Sequence, residues 1–200
     1  MPRARILRTA QYTLTAAGVL LLAYCAAVLL YAKLYQAAEA RNFAKELQLP
    51  STAAHAVPGI AMTVARDGEP VGQLQIPRLG VSVMVVEGIT SRDLARAAGH
   101  IPGTALPGAP GNVGIAGHRD TFFRPLRNLK PNDTLTFRTL YGTYRYRVTS
   151  LKVVPPGDVD VLNPNGHDSL TLVTCFPFGY IGPAPKRFIV LAEGILKHQS

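Results

Sequence analysis

The chain has 200 residues and a formal net charge of +9, and hydrophobic residues make up 48% of it. This length predicts one apolar anchor and one folded domain rather than several domains. The positive charge does not indicate a nucleic-acid partner, because part of it flanks the apolar N-terminal stretch and the remaining arginines are scattered without an aromatic-interleaved basic tract.

Residues 9–32 form the first predicted element, a stretch of 24 residues without a charge. At about 1.5 Å per residue it is long enough to cross a hydrocarbon core of about 30 Å, which predicts a transmembrane helix. Arg3, Arg5 and Arg8 precede it, so the positive-inside rule predicts that residues 1–8 are cytoplasmic and that the chain beyond the helix is extracytoplasmic.

Two alternatives for this stretch are a cleaved signal peptide and a lipidated cysteine. Ala38 and Ala40 are small enough for a cleavage site, but the apolar stretch is longer than the roughly 7–15 residues of a signal peptide. The bulky Tyr24 beside Cys25 argues against a lipoprotein signal. A retained anchor is the favoured interpretation.

Residues 33–71 are predicted to be a helical stalk and linker. The alanine-rich run 33–49 continues the helix until Pro50, and small residues dominate 51–58. The folded domain is assigned to residues 72–200, with its start between Pro58 and Gly72.

From Gly72 onward, glycine and proline recur at short intervals between β-branched runs, a pattern typical of an all-β barrel or sandwich. One short helix is predicted over Ser91–Ala98, with Ser91 as N-cap and Leu94 facing inward. The predicted strands are 72–76, 81–86, 112–116, 134–138, 143–153, 170–174 and 187–192.

The chain has two cysteines, Cys25 and Cys175, and they cannot pair because the first lies within the predicted span. Cys175 ends the strand pattern 170–174, which predicts a thiol at the rim of a sheet, where rigid backbone meets ligands. A lone thiol in an exported domain indicates reactivity. The alternative is an inert, buried cysteine.

A cation and a proton carrier are needed beside a reactive thiol. If the strands that hold Cys175 and Arg187 pair in antiparallel fashion, these residues face each other, and the guanidinium could stabilise a thiolate or an oxyanion. Arg187 could equally be an ordinary surface cation.

Of the five histidines, His55 and His198 fall in the linker and the tail. His167 lies in a predicted turn, and His100 is suited to tethering a loop by hydrogen bonds. His118 follows a strand through Gly117 and is the best general acid/base candidate.

Three segments closely resemble the histidine, Thr-Leu-x-Thr-Cys and arginine motifs of sortases, and look most like the class D branch: 117–124, 171–175 and 186–190. The resemblance runs from about Gly72 to Ala192. It implies a closed eight-stranded β-barrel with short helices. It also implies that Cys175 attacks a threonyl carbonyl in a C-terminal sorting signal, His118 protonates the leaving amine, and Arg187 supports the oxyanion.

The resemblance further implies that a thioacyl enzyme passes its acyl group to an amine, on a wall peptide or a lysine side chain. The donors would be surface or secreted proteins, and the enzyme would sit on the outer face of the cytoplasmic membrane. Thr174, Phe176, Pro177 and Phe178 are the expected substrate contacts. No cofactor is expected; some sortases use calcium, but no carboxylate cluster for it can be assigned here.

Other functions remain as alternatives. A cysteine hydrolase would release the same thioester to water, and a non-catalytic envelope binding protein would carry an inert thiol. An L,D-transpeptidase does not fit, because Thr174 stands where that family's pattern has glycine. A zinc site formed by Cys175, His118 and His100 lacks paired ligand spacing.

Overall fold

A computed structural model of the protein describes residues 2–48 and 66–195. The first element is a continuous helix, α1, over Pro2–Gln48. The part Leu7–Glu46 is long and apolar enough to cross a membrane, with a mean hydropathy of 2.2 in an apolar window that is not buried. The predicted helical continuation beyond the apolar stretch is confirmed to Gln48. Residues 49–65 of the predicted stalk and linker, with His55, and His198 in the C-terminal tail lie outside the described residues.

The rest of the described chain forms a closed β-barrel of eight strands. The strand order is β1-β2-β3-β4-β7-β8-β6-β5, with β5 pairing back to β1. Only β2–β3 and β4–β7 are parallel pairs. The strands are β1 Pro70–Ile76, β2 Val81–Glu87, β3 Ala98–His100, β4 Asn112–Gly117, β5 Thr134–Arg138, β6 Thr143–Val154, β7 Ser169–Phe176 and β8 Lys186–Gly194.

Side chains alternate between the interior of the barrel and its outer face, as the pleat of a strand requires. The interior is filled by apolar residues from nearly every strand, and Phe123, which precedes a short 3-10 segment, also packs there. Burial of this apolar surface is the main stabilising contribution to the closed sheet. The interior residues include Leu74, Ile76, Val83, Val85, Val113, Ile115, Leu135, Phe137, Leu170, Leu172, Val190 and Ala192.

All seven predicted strands are present, with ends shifted by at most two residues. The eighth strand, β3, was predicted only through the family resemblance, because three residues are too few to show a period. The sheet ladder gives these residues their backbone partners: Gly99 pairs with Ala116, and His100 with Ile115.

The short helix α2 covers Ser91–Arg96, and its N-cap differs from the prediction. Thr90, not Ser91, is the N-cap, and its hydroxyl accepts a hydrogen bond from the backbone N–H of Asp93. Leu94 is only half-buried, and Asp93 is the buried residue of the helix. The correction follows from the cap's need for an extended backbone, which Thr90 has with ψ of 159°.

The C-terminal part of α1 packs against the barrel through one face. The side-chain amide of Gln36 donates to the carbonyl of Arg96 at 2.7 Å and accepts from the backbone N–H of Met84 at 2.7 Å. The guanidinium of Arg96 lies 4.9 Å from the ring centre of Tyr35. Phe43, seven residues after Gln36 and therefore on the same face, is 6% exposed. The long helix is thus attached to the barrel beside α2 and β2.

Candidate active site

The parallel pair of β4 and β7 brings the histidine and cysteine segments to the same rim of the barrel. Gly117, the last residue of β4, pairs with Thr174 of β7. Neighbouring strands lie about 4.8 Å apart. His118 and Cys175, which follow Gly117 and Thr174, therefore start from adjacent backbone positions. Cys175 stands one residue inside the end of its strand, because β7 continues to Phe176.

The antiparallel pair of β7 and β8 sets Cys175 directly opposite Arg187. Residues directly opposite each other in such a pair have their Cβ atoms about 4.5–5.5 Å apart on one face. The predicted pairing of these two strands is therefore confirmed. Cys175 is a free, half-buried thiol, and His118 is exposed.

Thr174 points the other way from Cys175. Its side chain is 2% exposed, and its hydroxyl donates to the carbonyl of Gly117 at 2.7 Å. A substrate-contacting role for Thr174 has no support in this geometry, because the hydroxyl is buried and already bonded. The contact instead joins the ends of β4 and β7, immediately before His118 and Cys175.

The guanidinium of Arg187 is held by the backbone of its own loop. Its Nη1 donates to the carbonyls of Ala184 at 3.2 Å and Lys186 at 3.0 Å. Within the part of the chain that the structure describes, Nε and Nη2 have no hydrogen-bond partner. These N–H groups can serve a ligand oxygen, while the positive charge of the guanidinium favours an anion near the thiol.

The three residues after Cys175 form the apolar base of the loop between β7 and β8. The ring centre of Phe178 lies 5.3 Å from that of Phe188, and Phe176 stacks on Phe188 at 6.4 Å. The peptide bond between Phe176 and Pro177 is cis. All three predicted contacts are half-buried, so part of each surface remains open beside the thiol. Substrate binding by Phe176, Pro177 and Phe178 stays a prediction.

A recess of about 410 Å³ extends away from this rim along the outer face of the barrel. The segment 155–168 leaves the end of β6 and crosses the outer face to reach the start of β7. The recess lies between this segment and the outer faces of β6, β7 and β8. One of its lining residues, Val154, pairs with Arg187, so the recess begins at the level of the thiol.

On β4, the neighbouring loops close over the outer face. A side chain at Gly114 would meet Thr104 at 3.0 Å and Leu162 at 3.1 Å, which explains why glycine stands there. These contacts bring the segment before β4 and the segment before β7 together over the strand.

His100 has the loop-tethering role predicted for it. Its Nδ1 lies 2.7 Å from Oε2 of Glu87, and its Nε2 lies 3.0 Å from both the carbonyl of Ala105 and the hydroxyl of Thr104. His100 is 2% exposed and ends a strand that runs away from the thiol-bearing rim. It therefore cannot join Cys175 and His118 in a zinc site. No group of three or more His, Cys, Asp or Glu side chains suited to a metal ion occurs among residues 7–46 and 66–195.

Arg119 is a residue of this rim to which the sequence analysis gave no role. Its Nη2 donates to the carbonyls of Tyr180 at 2.6 Å and Gly182 at 3.0 Å. The guanidinium carbon also lies 5.8 Å from the centre of the Tyr180 ring. The only sequence signal for these contacts is the position of Arg119 next to His118.

Comparison with known proteins agrees with this arrangement. The family model of the sortase domain matches residues 74–195. The chain is 33% identical to sortase D of Bacillus subtilis over 129 residues, which are 64% of this chain and 65% of that protein. It is 32% identical to sortase SrtE1 of Streptomyces coelicolor over 179 residues, which are 80% of this chain and 50% of that protein. The chain thus spans less than two thirds of the length of these two relatives.

Solved structures give the same relation. The fold is similar to that of the sortase D5 transpeptidase of Clostridium perfringens, with a TM-score of 0.67 and 28% identity, over 82% of this chain and 98% of that one. It is also similar to sortase C-1 of Actinomyces oris, with a TM-score of 0.59 and 32% identity, over 62% and 71% of the two chains. The family model covers more than half of the sequence, and the barrel has the fold of these structures. The chain belongs to the sortase family.

Proposed function

We propose that this chain is a membrane-anchored cysteine transpeptidase that cleaves a C-terminal sorting signal of exported proteins and transfers the acyl group to an amine. The observation that carries the proposal is the strand register at one rim of the barrel. Cys175 pairs with Arg187, and Gly117, which precedes His118, pairs with Thr174. A thiol, an imidazole and a guanidinium on neighbouring strands are the groups that acyl transfer through a thioester requires.

The proposed reaction begins with the thiolate of Cys175 attacking the carbonyl carbon of a threonine in the signal. The carbonyl oxygen becomes an oxyanion, which the free N–H groups of Arg187 stabilise. The C–N bond then breaks while His118 donates a proton to the leaving amine, and a thioester remains on Cys175. An incoming amine loses a proton to His118, attacks the thioester and restores the thiolate, so that a new amide bond replaces the old one.

The apolar N-terminal helix supports the anchored form of the proposal. Residues 1–8 would face the cytoplasm and the barrel would lie outside, since arginines cluster before the apolar stretch. Surface or secreted proteins would present their signals beside the membrane. The acceptor would be the amine of a wall peptide or of a lysine side chain.

The test uses the full chain in detergent and a panel of quenched peptides with a Leu-Pro sequence upstream of a threonine. We expect Cys175→Ala to abolish peptide cleavage and the thioacyl adduct seen by mass spectrometry. His118→Ala and Arg187→Ala should each lower turnover by at least about 100-fold, since each removes a transition-state interaction. Cys25→Ala, which removes the other thiol, is the matched control and should keep full activity.

The same assay separates a transpeptidase from a hydrolase. With an added amine, a transpeptidase gives the amide product, whereas a hydrolase gives the free acid at an unchanged rate. Turnover by a folded Cys175→Ala protein would contradict the proposal altogether. A chelator in parallel reactions tests the expectation that no metal is needed, and a loss of activity restored by calcium would overturn that expectation.

A further inference from the structure

Arg119 connects two segments that are far apart in sequence. It lies directly after His118, and its Nη2 donates to two carbonyls of the loop between β7 and β8, on Tyr180 and Gly182. This loop, residues 177–185, separates the strand of Cys175 from the strand of Arg187. One side chain therefore joins the turn that carries the imidazole to the loop that spans the thiol and the second guanidinium.

Arg119 contacts the loop through two charge-assisted hydrogen bonds and an aromatic ring. Hydrogen bonds from a charged guanidinium are about twice as strong as neutral ones, and the stacked Tyr180 ring adds a cation–π contact. Nη1 of the same guanidinium is buried without a partner among the described residues. An unpaired buried donor costs about 1–3 kcal/mol. This cost opposes the stabilisation that the two hydrogen bonds from Nη2 give to the loop.

The loop has little other support near its apex. The backbone N–H of Tyr180 bonds to the carbonyl of Pro177 inside the loop, and Ile181 is 96% exposed. The aromatic base at Phe176 and Phe178 fixes the start of the loop, and Arg187 bonds to carbonyls at its end. In the described part of the chain, Arg119 is the side chain from outside the loop that bonds to the apex.

We propose that Arg119 is a positioning residue of the site, which fastens the loop between β7 and β8 to the histidine turn so that His118 and Arg187 keep their places beside Cys175. This inference rests on the proposed function. Arg119 acts through its neighbours, since its Nη2 is bonded to two loop carbonyls. Removing the fastening lets the imidazole and the loop move independently, and displacements of about 1 Å at a reacting centre can cost about 100-fold in rate.

The test compares Arg119→Ala, Arg119→Lys and the control Arg124→Ala in the full chain. Arg124 is exposed, five residues along the same connection, and makes no side-chain hydrogen bond in the region described. We expect Arg119→Ala to lower kcat by about 10- to 100-fold with KM changed less than about threefold. Arg119→Lys should recover part of kcat because its ammonium can reach one of the two carbonyls. Arg124→Ala should stay within about twofold of the parent.

Hydrogen exchange of the loop amides gives a second readout that does not depend on activity. Exchange at residues 179–182 should rise at least about tenfold in Arg119→Ala, with strand amides unchanged. An unchanged kcat in a variant with a released loop would overturn the positioning role, as would an equal loss in Arg124→Ala. If Arg119→Ala does not fold, Arg119→Gln replaces it, with the same two outcomes.

Failure of the proposed function would look different from failure of this inference. A parent protein that cleaves none of the peptides contradicts the proposed function. In that case, faster exchange confined to the loop in Arg119→Ala still supports the fastening, and unchanged loop exchange overturns it.

Discussion

Thr174 links the two strand ends that carry the proposed nucleophile and the proposed general acid. Because successive side chains of a strand point to opposite faces, the outward position of Cys175 turns Thr174 toward the interior. Its hydroxyl bonds there to the carbonyl of Gly117, which is itself buried. The hydroxyl at this position therefore holds together the two backbone segments that carry His118 and Cys175.

Replacement of Thr174 by valine tests this role. Thr174→Val keeps the shape but removes the side-chain hydrogen bond to the buried carbonyl of Gly117, so we expect a loss of about 1 kcal/mol in the free energy of unfolding. Turnover should fall more than this stability change alone explains, because His118 follows the released carbonyl. Thr174→Ser retains the hydroxyl and should keep most of the activity. Equal activity in the valine and serine variants would contradict the argument, and denaturant unfolding with peptide kinetics provides the measurement.

Helix α1 contacts the part of β2 that the short strand β3 leaves unpaired. β3 pairs in parallel with Val85, Val86 and Glu87 of β2, so the backbone N–H of Met84 lies one residue before the start of β3. The side chain of Gln36 accepts this N–H and also donates to the carbonyl of Arg96, at the last residue of α2. Both are backbone groups that the ends of regular elements leave without partners.

The effect of Gln36 can be read at a single amide. In Gln36→Ala, we expect hydrogen exchange of the Met84 amide to accelerate about fivefold or more, the equivalent of a lost hydrogen bond of about 1 kcal/mol. Arg41→Ala, an exposed position on the same helix, is the control and should leave this amide unchanged. Slow exchange of Met84 in Gln36→Ala would mean that the helix does not protect the strand.

The assignment of Thr90, and not Ser91, as the N-cap of α2 can be tested directly. Thr90→Ala removes the hydroxyl that bonds to the backbone and the carboxylate of Asp93, and should lower the free energy of unfolding by about 1 kcal/mol. Ser91→Ala, one residue later, removes a hydroxyl from the first turn of the helix and should change it by less than about half of that. Thermal or denaturant unfolding provides the measurement. A larger loss in the free energy of unfolding for Ser91→Ala than for Thr90→Ala would show that Ser91 is the N-cap.

The elements that the sequence predicted well are those with a clear period. Strand 134–138 alternates between polar and apolar residues and was found with its predicted ends, whereas β3 has three residues, all buried, and no alternation to detect. The cap was displaced by one position because Thr90 and Ser91 both have cap-forming side chains. Which of the two residues is the cap depends on the backbone angles, which composition does not determine.

At the scale of the whole barrel, the site depends on a pairing between strands distant in sequence. β4 and β7 are parallel neighbours although 51 residues lie between Gly117, the last residue of β4, and Ser169, the first of β7, and no local pattern indicates that the two strands meet. The proximity of Cys175 and Arg187 could be predicted from the sequence alone, since their strands are joined by one loop. The placement of His118 beside them came from the motif resemblance. Arg119 stayed unassigned, because its partners are backbone carbonyls that any residue could supply.

An ion pair between Arg78 and Asp133 connects two parts of the barrel and contributes to the response of the molecule to acid. The guanidinium of Arg78, between β1 and β2, forms two hydrogen bonds with the carboxylate of Asp133, just before β5, and a third with the carbonyl of Asn128. The hydrogen bond from Arg78, assisted by the backbone N–H of Lys130, holds the pKa of Asp133 below its ordinary value, against the opposing effect of burial. Asp93 has a lowered pKa as well, first because of its hydrogen bond with Thr90.

These lowered pKa values fix the direction of the pH dependence. The folded state binds fewer protons than the unfolded state once the pH approaches the ordinary aspartate value of about 3.9, so the stabilising contribution is present above it and is lost as the pH falls through the folded pKa. We expect the free energy of unfolding of the full chain in detergent to decrease below about pH 4.

Asp133→Asn should be less stable than the parent at pH 7. Its free energy of unfolding should also decrease less on acidification, because one of the two groups no longer titrates. Asp158→Asn, which changes an exposed carboxylate, should reproduce the parent curve. Parallel acid curves for the parent and Asp133→Asn would show that the contact with Arg78 does not contribute to the acid response.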